Sequence, residues 1–281
     1  MAAPGQWGAM RARTKESGRH VGAVLKALDI LESFQAQPTL SLKELIDLSG
    51  LNRSRVMRLA GTLEARGYLA LEPDTGHYRL GSRLLTLGKL FEQNNTLMSL
   101  ARPALKRLVE MTGESASLYA IDGFERVALA REHGTHEVLF SVTEGGRSEL
   151  YAGAAGKVLL AHAPPDVATG VLKAGVMRRL TPGTVVDPIR LTAQLKTIRR
   201  QGWAFSKGDR VADAWGIAAP VFGHDGAARA AIGVAGPINR LTAPMRTQTV
   251  AAVTEVAREL SRDLGWSPAS TGTNTTPRRK R

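Results

Sequence analysis

Cysteine is absent from all 281 residues, which excludes disulfides and thiolate metal sites together. Long apolar runs are missing too: glycine, proline or charge breaks each of them short of the ~18 residues that a membrane span needs. No apolar stretch follows the basic residues near the N-terminus, so no secretion signal is read there and the expected compartment is the cytoplasm. Acid is in deficit, with 25 Asp and Glu against 38 Lys and Arg, giving a formal charge of +13. What is present, 43% hydrophobic and 22% charged residues, suits a globular chain with room for two domains and a core in each.

The surplus charge is spread along the chain. Residues 1–90 hold 13 basic and 8 acidic residues, residues 91–276 hold 21 and 17, and the last five hold four basic and none acidic. Excess positive charge favours phosphate backbones through counterion release, yet a basic surface alone does not separate DNA binding from a merely charged exterior. Residues 1–18 and 266–281 read as disordered ends, the second closing on the basic run Arg278, Arg279, Lys280 and Arg281. Nonspecific DNA affinity and simple solvation are both open to that tail.

Residues 40–80 are the most informative stretch. Ser41 followed three positions later by Glu44 has the pattern of a capping box, which predicts a helix from Leu42 with Leu42, Leu45, Ile46 and Leu48 on its inner face. Ser49 and Gly50 supply the break. Asn52 then caps a second helix in which Val56, Leu59 and Leu63 point inward, leaving Arg53, Ser54, Arg55 and Arg58 outward near its start. Tyr68 to Leu71 suits a strand, Pro73 to Gly76 a turn, and His77 to Leu80 the returning strand. A helix, a tight turn, a basic helix and a hairpin make a winged helix-turn-helix, whose second helix enters the major groove of DNA. His77 and Arg79 on the wing join Arg53, Ser54, Arg55 and Arg58 as candidate DNA contacts.

Around this segment, Val21, Val24, Leu25, Leu28 and Leu31 have helical spacing and predict a first helix packed across the pair. Leu84, Leu85, Leu87, Leu90 and Phe91 predict a linker helix that pairs with a second subunit. Leu97 to Met111 reads as a further helix, with Pro103 as an early break or first-turn residue and Gly113 at its C-terminal cap. From Ser115 the period shortens: Ser115 to Ile121 and Arg126 to Arg131 form a hairpin candidate about Asp122 and Gly123, and Val138 to Val142 a third strand. Helices are expected over 155–163, 166–172 and 191–201, strands over 203–207, 215–222 and 228–235, and a closing helix over 243–264. Strands, then helices, then strands again describe an α+β domain with a mostly antiparallel sheet. The expected division is a disordered segment 1–18, a DNA-binding domain 19–81, a linker helix 82–98, a second domain 99–265 and a basic tail 266–281.

The chain resembles the IclR family of transcription regulators over residues 21–264. The segments that carry the likeness are LSLKELIDLSGLNRSRVMRLAGTLEARGYL, the wing GHYRLG, the segment LYAGAAGKVLLA, and the pair GWAFSKGDRVADAWGIAAPVF and GAARAAIGVAGPINRLT. The resemblance implies a GAF-like effector domain behind the winged helix, a homodimer or dimer of dimers, an operator that is an imperfect palindrome, and regulation of a catabolic operon by a small organic, often aromatic, acid. It implies no enzyme activity, cofactor or metal. It also implies an effector site at Tyr151, Ala154, Ala155, Gly156, Asp209, Trp215, Gly216, Gly233 and Ala235. This chain departs from the family at six positions. Arg55 stands where a small hydroxyl residue is frequent, and Asp209 where glutamate is usual. Asp213 lies near a frequent glycine, and Gly216, Gly233 and Ala235 stand where some relatives carry serine or cysteine. The last difference predicts a roomier, less polar site, suited to an apolar or aromatic body rather than a two- or three-carbon acid.

Three other signals are weaker. Gly153 to Lys157 lacks the spacing and the following hydroxyl of a phosphate loop, and reads as a glycine-rich helix start. Glu132, His133, His136 and Glu137 match no helical zinc spacing and read as a solvated loop. No serine sits in a nucleophile elbow, which leaves enzyme activity the weaker class, and Trp203 and Trp215 read as sheet core. A constitutive DNA-binding protein without an effector remains the alternative.

Overall fold

The computed structural model describes residues 20–137, 142–173 and 175–267. It comprises two compact units, one ending at Asn94 and the other beginning at Asn95. Among the described residues no helix is long and apolar enough to cross a membrane.

The first unit runs α1 (Gly22–Glu32), a 3-10 turn, β1 (Thr39–Leu40), α2 (Leu42–Ser49), α3 (Arg53–Ala65), β2 (Leu69–Leu71), β3 (Tyr78–Leu80) and α4 (Ser82–Gln93). Its start signals are chemical. The Ser41 hydroxyl accepts the Glu44 N–H at 3.3 Å while the Glu44 carboxylate accepts the Ser41 N–H at 2.8 Å, so both orphan donors are satisfied. Those bonds, the backbone one foremost, hold the Glu44 carboxyl down to about 2. Gly50, at φ 67°, ends α2 in the left-handed conformation that glycine adopts without a Cβ penalty. Asn52 Oδ1 then accepts the Arg55 N–H at 3.0 Å and starts α3. Ile30, Phe34, Leu40, Leu45, Val56, Ala60 and Leu69 form the buried core, with Leu42, Ile46, Leu59 and Leu63 packed against it.

Several expectations change. Leu48 is 40% exposed; Ser49 takes the inner position instead and donates its hydroxyl to the Leu45 carbonyl at 2.5 Å. On α1 the packing face is Ile30 and Leu31, continued by Phe34, while Val21, Val24, Leu25 and Leu28 stay exposed. One short helix carries two apolar stripes, and the more obvious one faces outward. The wing gains a strand, because β1 pairs with β3 to give the order β1-β3-β2. Two residues are too few to show alternation in sequence. His77 belongs to the turn, not the strand. Gly81 is required, since a Cβ there would lie 2.1 Å from the Gly67 carbonyl oxygen. The expected linker 82–98 is not one helix: α4 stops at Gln93, and Asn95 caps the next helix by accepting the Met98 N–H.

The second unit runs α5 (Thr96–Thr112), β4 (Ser115–Asp122), β5 (Glu125–Glu132), β6 (Arg147–Glu149), α6 (Ala154–Ala161), α7 (Pro165–Leu172), α8 (Pro188–Gln201), β7 (Ala204–Lys207), β8 (Ala214–Phe222), β9 (Ala228–Pro237) and α9 (Ala243–Asp263). Pro103 lies inside α5 rather than in its first turn, on an exposed side where the carbonyl deprived of a partner can be solvated. Asp122 pairs with Glu125, so the hairpin turn is Gly123 and Phe124, one residue later than expected, with Gly123 at φ 61°. The strand expected over Val138 to Val142 lies outside the described residues except for Val142, which is not in a strand; β6 is the neighbour of β5. All pairings are antiparallel, in the order β6-β5-β4-β9-β8-β7.

Both faces of this sheet are covered. Leu118, Trp215, Ile217, Val221, Ile232 and Val234 face α5 and α9 in one core. Tyr119, Ala128, Ala204, Ala218 and Ala231 share the other core with α6, α7 and α8. Successive residues of β8 and β9 alternate between the cores, as the pleat requires. A bidentate pair closes one corner: the part-exposed Arg240 donates to both oxygens of the buried Glu114 at 2.6 and 2.7 Å. Past α9, Trp266 stacks on Phe222 with ring centroids 5.5 Å apart, so packing continues to the first residue of the expected tail.

Phe222 also meets the edge of His162 at 5.2 Å. Burial, with the nearby Arg199 charge second, lowers the His162 imidazole to about 4. An unfolded histidine titrates near ~6.5. The folded state therefore binds fewer protons between these values, so this contribution to stability is complete above the unfolded value and is lost as pH falls through about 4. Thermal melts of wild type and His162→Leu from pH 7.5 to 4 should show a steeper acid decline in wild type; parallel declines would contradict the assignment.

Candidate nucleic-acid interface and ligand pocket

The capped start of α3 carries Arg53, Ser54, Arg55 and Arg58, all exposed. Among the described residues no acid pairs with any of the three arginines, and the first turn of α3 has no acidic residue. Cations are disfavoured at a helix N-terminus, where the dipole is positive. A segment shaped for stability alone would carry Asp or Glu here, so the arrangement fits an external anion. On the wing, Arg79 is exposed and stands 3.8 Å from Glu72, while His77 folds back, its Nδ1 3.0 Å from the Thr75 carbonyl oxygen. The exposed Lys43 in the first turn of α2 adds a basic side chain that pattern reading passed over.

In the second unit a pocket with about 500 Å³ of empty volume, its mouth included, lies between the sheet and the start of α6. Its floor is made of small residues in register. Ser206, Gly216 and Ala235 are cross-strand neighbours, and Ala218, Gly233 and Ser117 form the next row. Bulkier side chains at these positions would fill the space. Of the residues expected there, Ala154, Ala155, Trp215, Gly216, Gly233 and Ala235 line it. Trp215 contributes its main chain, because its indole belongs to the core on the opposite face. Gly233 is fixed by packing, since a Cβ would lie 2.4 Å from the Ile217 carbonyl oxygen. At Gly216 a Cβ would meet only ordinary contacts of 3.6 Å or more.

Tyr151, Gly156 and Asp209 do not line the pocket. The Tyr151 hydroxyl donates to the Arg178 carbonyl and accepts the Arg178 N–H, each at 3.1 Å. Gly156 lets α6 approach the Glu149 and Leu150 carbonyls, which a Cβ would meet at 2.8 Å. Asp209 accepts the Gly153 N–H at 3.1 Å and the Ser206 hydroxyl, and pairs with Lys157 at 2.5 Å. That ion pair is buried, with both side chains 7% exposed, so Lys157 is a structural cation and not the lysine of a phosphate loop. Pattern reading missed Ser117, Tyr119, Arg126, Ser206 and Arg210, all of which line the pocket. Among the described residues no group of three His, Asp or Glu gathers to hold a metal ion.

A winged helix-turn-helix with an unpaired basic face, together with an α+β unit holding a pocket between its sheet and a helix start, defines the class of DNA-binding transcription regulators. Residues 23–73 match the IclR helix-turn-helix domain, and residues 91–262 match the bacterial transcriptional regulator IclR C-terminal domain. The chain belongs to the IclR family. It is 35% identical over 254 residues to the HTH-type transcriptional regulator BhcR of Paracoccus denitrificans, covering 90% of each chain. It is 27% identical to the transcriptional repressor IclR of Escherichia coli, covering 87% of this chain and 90% of that one. Among solved structures, an IclR homolog from Microbacterium hydrocarbonoxydans complexed with 4-hydroxybenzoate matches with a TM-score of 0.76 at 27% identity, covering 86% of this chain and 99% of that one. These relatives are transcription regulators, and so is the class to which this chain belongs; it is not an enzyme family.

Removing one partner of a buried ion pair leaves an uncompensated charge, so Lys157→Met should destabilise the second unit by about 3–5 kcal/mol in denaturant melts. Restoring wild-type stability to within error would show that the pair does not hold the helix start.

Proposed function

We propose that this chain is a ligand-responsive transcription regulator acting in the cytoplasm on an operator that is an imperfect palindrome. The observation that carries the reading is the capped α3 with Arg53, Arg55 and Arg58 exposed and unpaired beside a three-stranded wing. Arg53, Ser54, Arg55 and Arg58 meet base edges and phosphates of the major groove, and His77 and Arg79 serve the wing. A homodimer, or a dimer of dimers, supplies the second half-site. Two apolar faces of the first unit favour this: Val21, Val24, Leu25 and Leu28 on α1, and Leu85, Leu87, Leu90 and Phe91 on α4, are all at least 39% exposed.

The effector is a small organic acid with an apolar or aromatic body, bound over the Gly216, Ala218, Gly233 and Ala235 floor, and the target is a catabolic operon. The small floor residues and the relative that holds 4-hydroxybenzoate support this choice. Tyr151, Gly156 and Asp209 support the site from behind rather than touching the ligand. Regulation requires the effector to bind the DNA-competent and incompetent states with different affinity, typically by ~1–3 kcal/mol.

In gel shifts against DNA upstream of its own gene, wild type should bind with a steep salt dependence that a cognate organic acid alters. Arg53→Ala and Arg55→Ala should each weaken operator binding by roughly 5- to 150-fold, the worth of a bidentate base contact, while leaving the melting temperature and effector binding in place. Unchanged DNA affinity in both variants would sink the interface. Phe91→Asp should shift the protein toward monomer in light scattering; an unaltered mass would remove α4 from the subunit contact.

A further inference from the structure

Arg126 is the more deeply buried of the two charged residues that line the pocket. It projects from β5, is 6% exposed, and lines the cavity. Its guanidinium carbon lies 4.6 Å from the Tyr119 ring centroid, and its Nε donates to the Ser148 hydroxyl at 2.8 Å. The ring and the serine fix the plane of the fork. Among the described residues no acceptor is bonded to the two terminal nitrogens. Such a group is costly to bury without a counterion.

The nearby acids are already engaged. Asp209 pairs with Lys157 at 2.5 Å, and Glu149 lies 3.7 Å from Arg210. Three cations therefore share two carboxylates, leaving one positive charge, which sits on Arg126. Burial lowers its pKa to about 10, well above neutrality, so the charge persists. A second feature converges on the same point. The N-terminus of α6 has Gly153 at its cap, with no side chain to accept from the first turn and its own N–H taken by Asp209, and Gly153, Ala154 and Ala155 face the pocket. A Cβ on Gly153 would stand 3.2 Å from Nη2 of Arg126, so the fork reaches the helix start.

We propose that Arg126 is the specificity-determining anchor of the effector site, clamping the carboxylate of a monoanionic ligand between its terminal nitrogens and the N-terminal amides of α6. This rests on the second unit being an effector domain. The fork supplies two parallel charge-assisted donors, and the helix terminus adds oriented N–H groups of the same sign. The apolar body then lies along Gly216 and Ala218. The pocket selects one negative charge: a neutral isostere leaves the guanidinium unpaired, and a dianion brings more charge than the site balances.

The test uses the full chain and matched pairs, benzoate with benzamide and 4-hydroxybenzoate with 4-hydroxybenzamide, in thermal-shift and calorimetric titrations. Wild type should bind at least one acid about tenfold or more tighter than its amide, the difference a charge-assisted contact confers. Arg126→Met should lose that preference while melting, without ligand, at or above the wild-type temperature, because an uncompensated buried charge has gone. Arg126→Lys should retain part of the preference. Equal binding of acid and amide by wild type, or an undiminished acid preference in Arg126→Met, overturns the anchor and leaves the effector-domain reading standing. If none of the four probes binds wild type, the anchor is rejected for this ligand class; unchanged DNA affinity across a broad metabolite set then counts against the effector domain itself. A misfolded Arg126→Met is recognised by its melt, and the acid-to-amide ratio of wild type still decides the question.

Discussion

The second unit depends on one carboxylate. Every residue of α6, from Ala154 to Ala161, is buried, and one of them is a lysine. A charge enters such a place only with a partner, and Asp209 is that partner. The same carboxylate takes the Gly153 N–H and the Ser206 hydroxyl, while the Asp209 backbone carbonyl accepts the Thr184 hydroxyl at 2.7 Å. It thereby ties the loop after β7 to the start of α6 and sets the depth at which that helix lies over the sheet. The pocket is the space this tie leaves above a floor of glycine, alanine and serine.

The first unit was legible because its signals are local. A capping box, a left-handed glycine and an asparagine cap are each written within a few residues, and each forms where the sequence places it. What local pattern could not supply was direction. The outward stripe on α1 has the same spacing as an inward one, and only the packing of Ile30 and Phe34 tells them apart. The two-residue β1 exists through its pairing with β3, which no window along the chain displays. In the second unit the sheet was visible from its alternation, and the two apolar helical patterns about Leu84 to Phe91 and Leu97 to Met111 marked separate helices, although the linker bounds 82–98 ran past the break at Asn94 and Asn95.

The pocket was half legible for a related reason. Its glycine and alanine positions stood out through resemblance, whereas Arg126 looked like an ordinary charged residue on a strand. A bulge between Leu118 and Tyr119 shifts the register with β5, so that Ala128 and Ala130 face opposite cores. Strict alternation would put them on the same side. The parity of Arg126 therefore could not be counted from the apolar residues that follow it. Tyr151, Gly156 and Asp209 illustrate the converse: residues shared with a family's ligand segment can hold the backbone that forms the site without touching its contents.

Three features break rules that folding stability alone would favour: arginines at the positive end of α3, a hollow over the sheet, and a buried guanidinium without a counterion. On the proposed reading, DNA phosphates would relieve the first, and one small anion would relieve the other two at once by filling space and balancing charge. Binding to the folded form raises stability by RT ln(1 + [L]/Kd), so a ligand present at ~100 times its Kd contributes about 2.7 kcal/mol to the second unit. That energy acts on DNA affinity only to the extent that the pocket differs between the two regulatory states. The point of greatest leverage is the α6 N-terminus, because there the Asp209 tie and the Arg126 fork meet at Gly153. A carboxylate held by the proposed fork would meet amides that the tie positions, so small changes in the seat of α6 would alter ligand affinity, and on that reading the coupling that regulation requires would act through the geometry around Gly153.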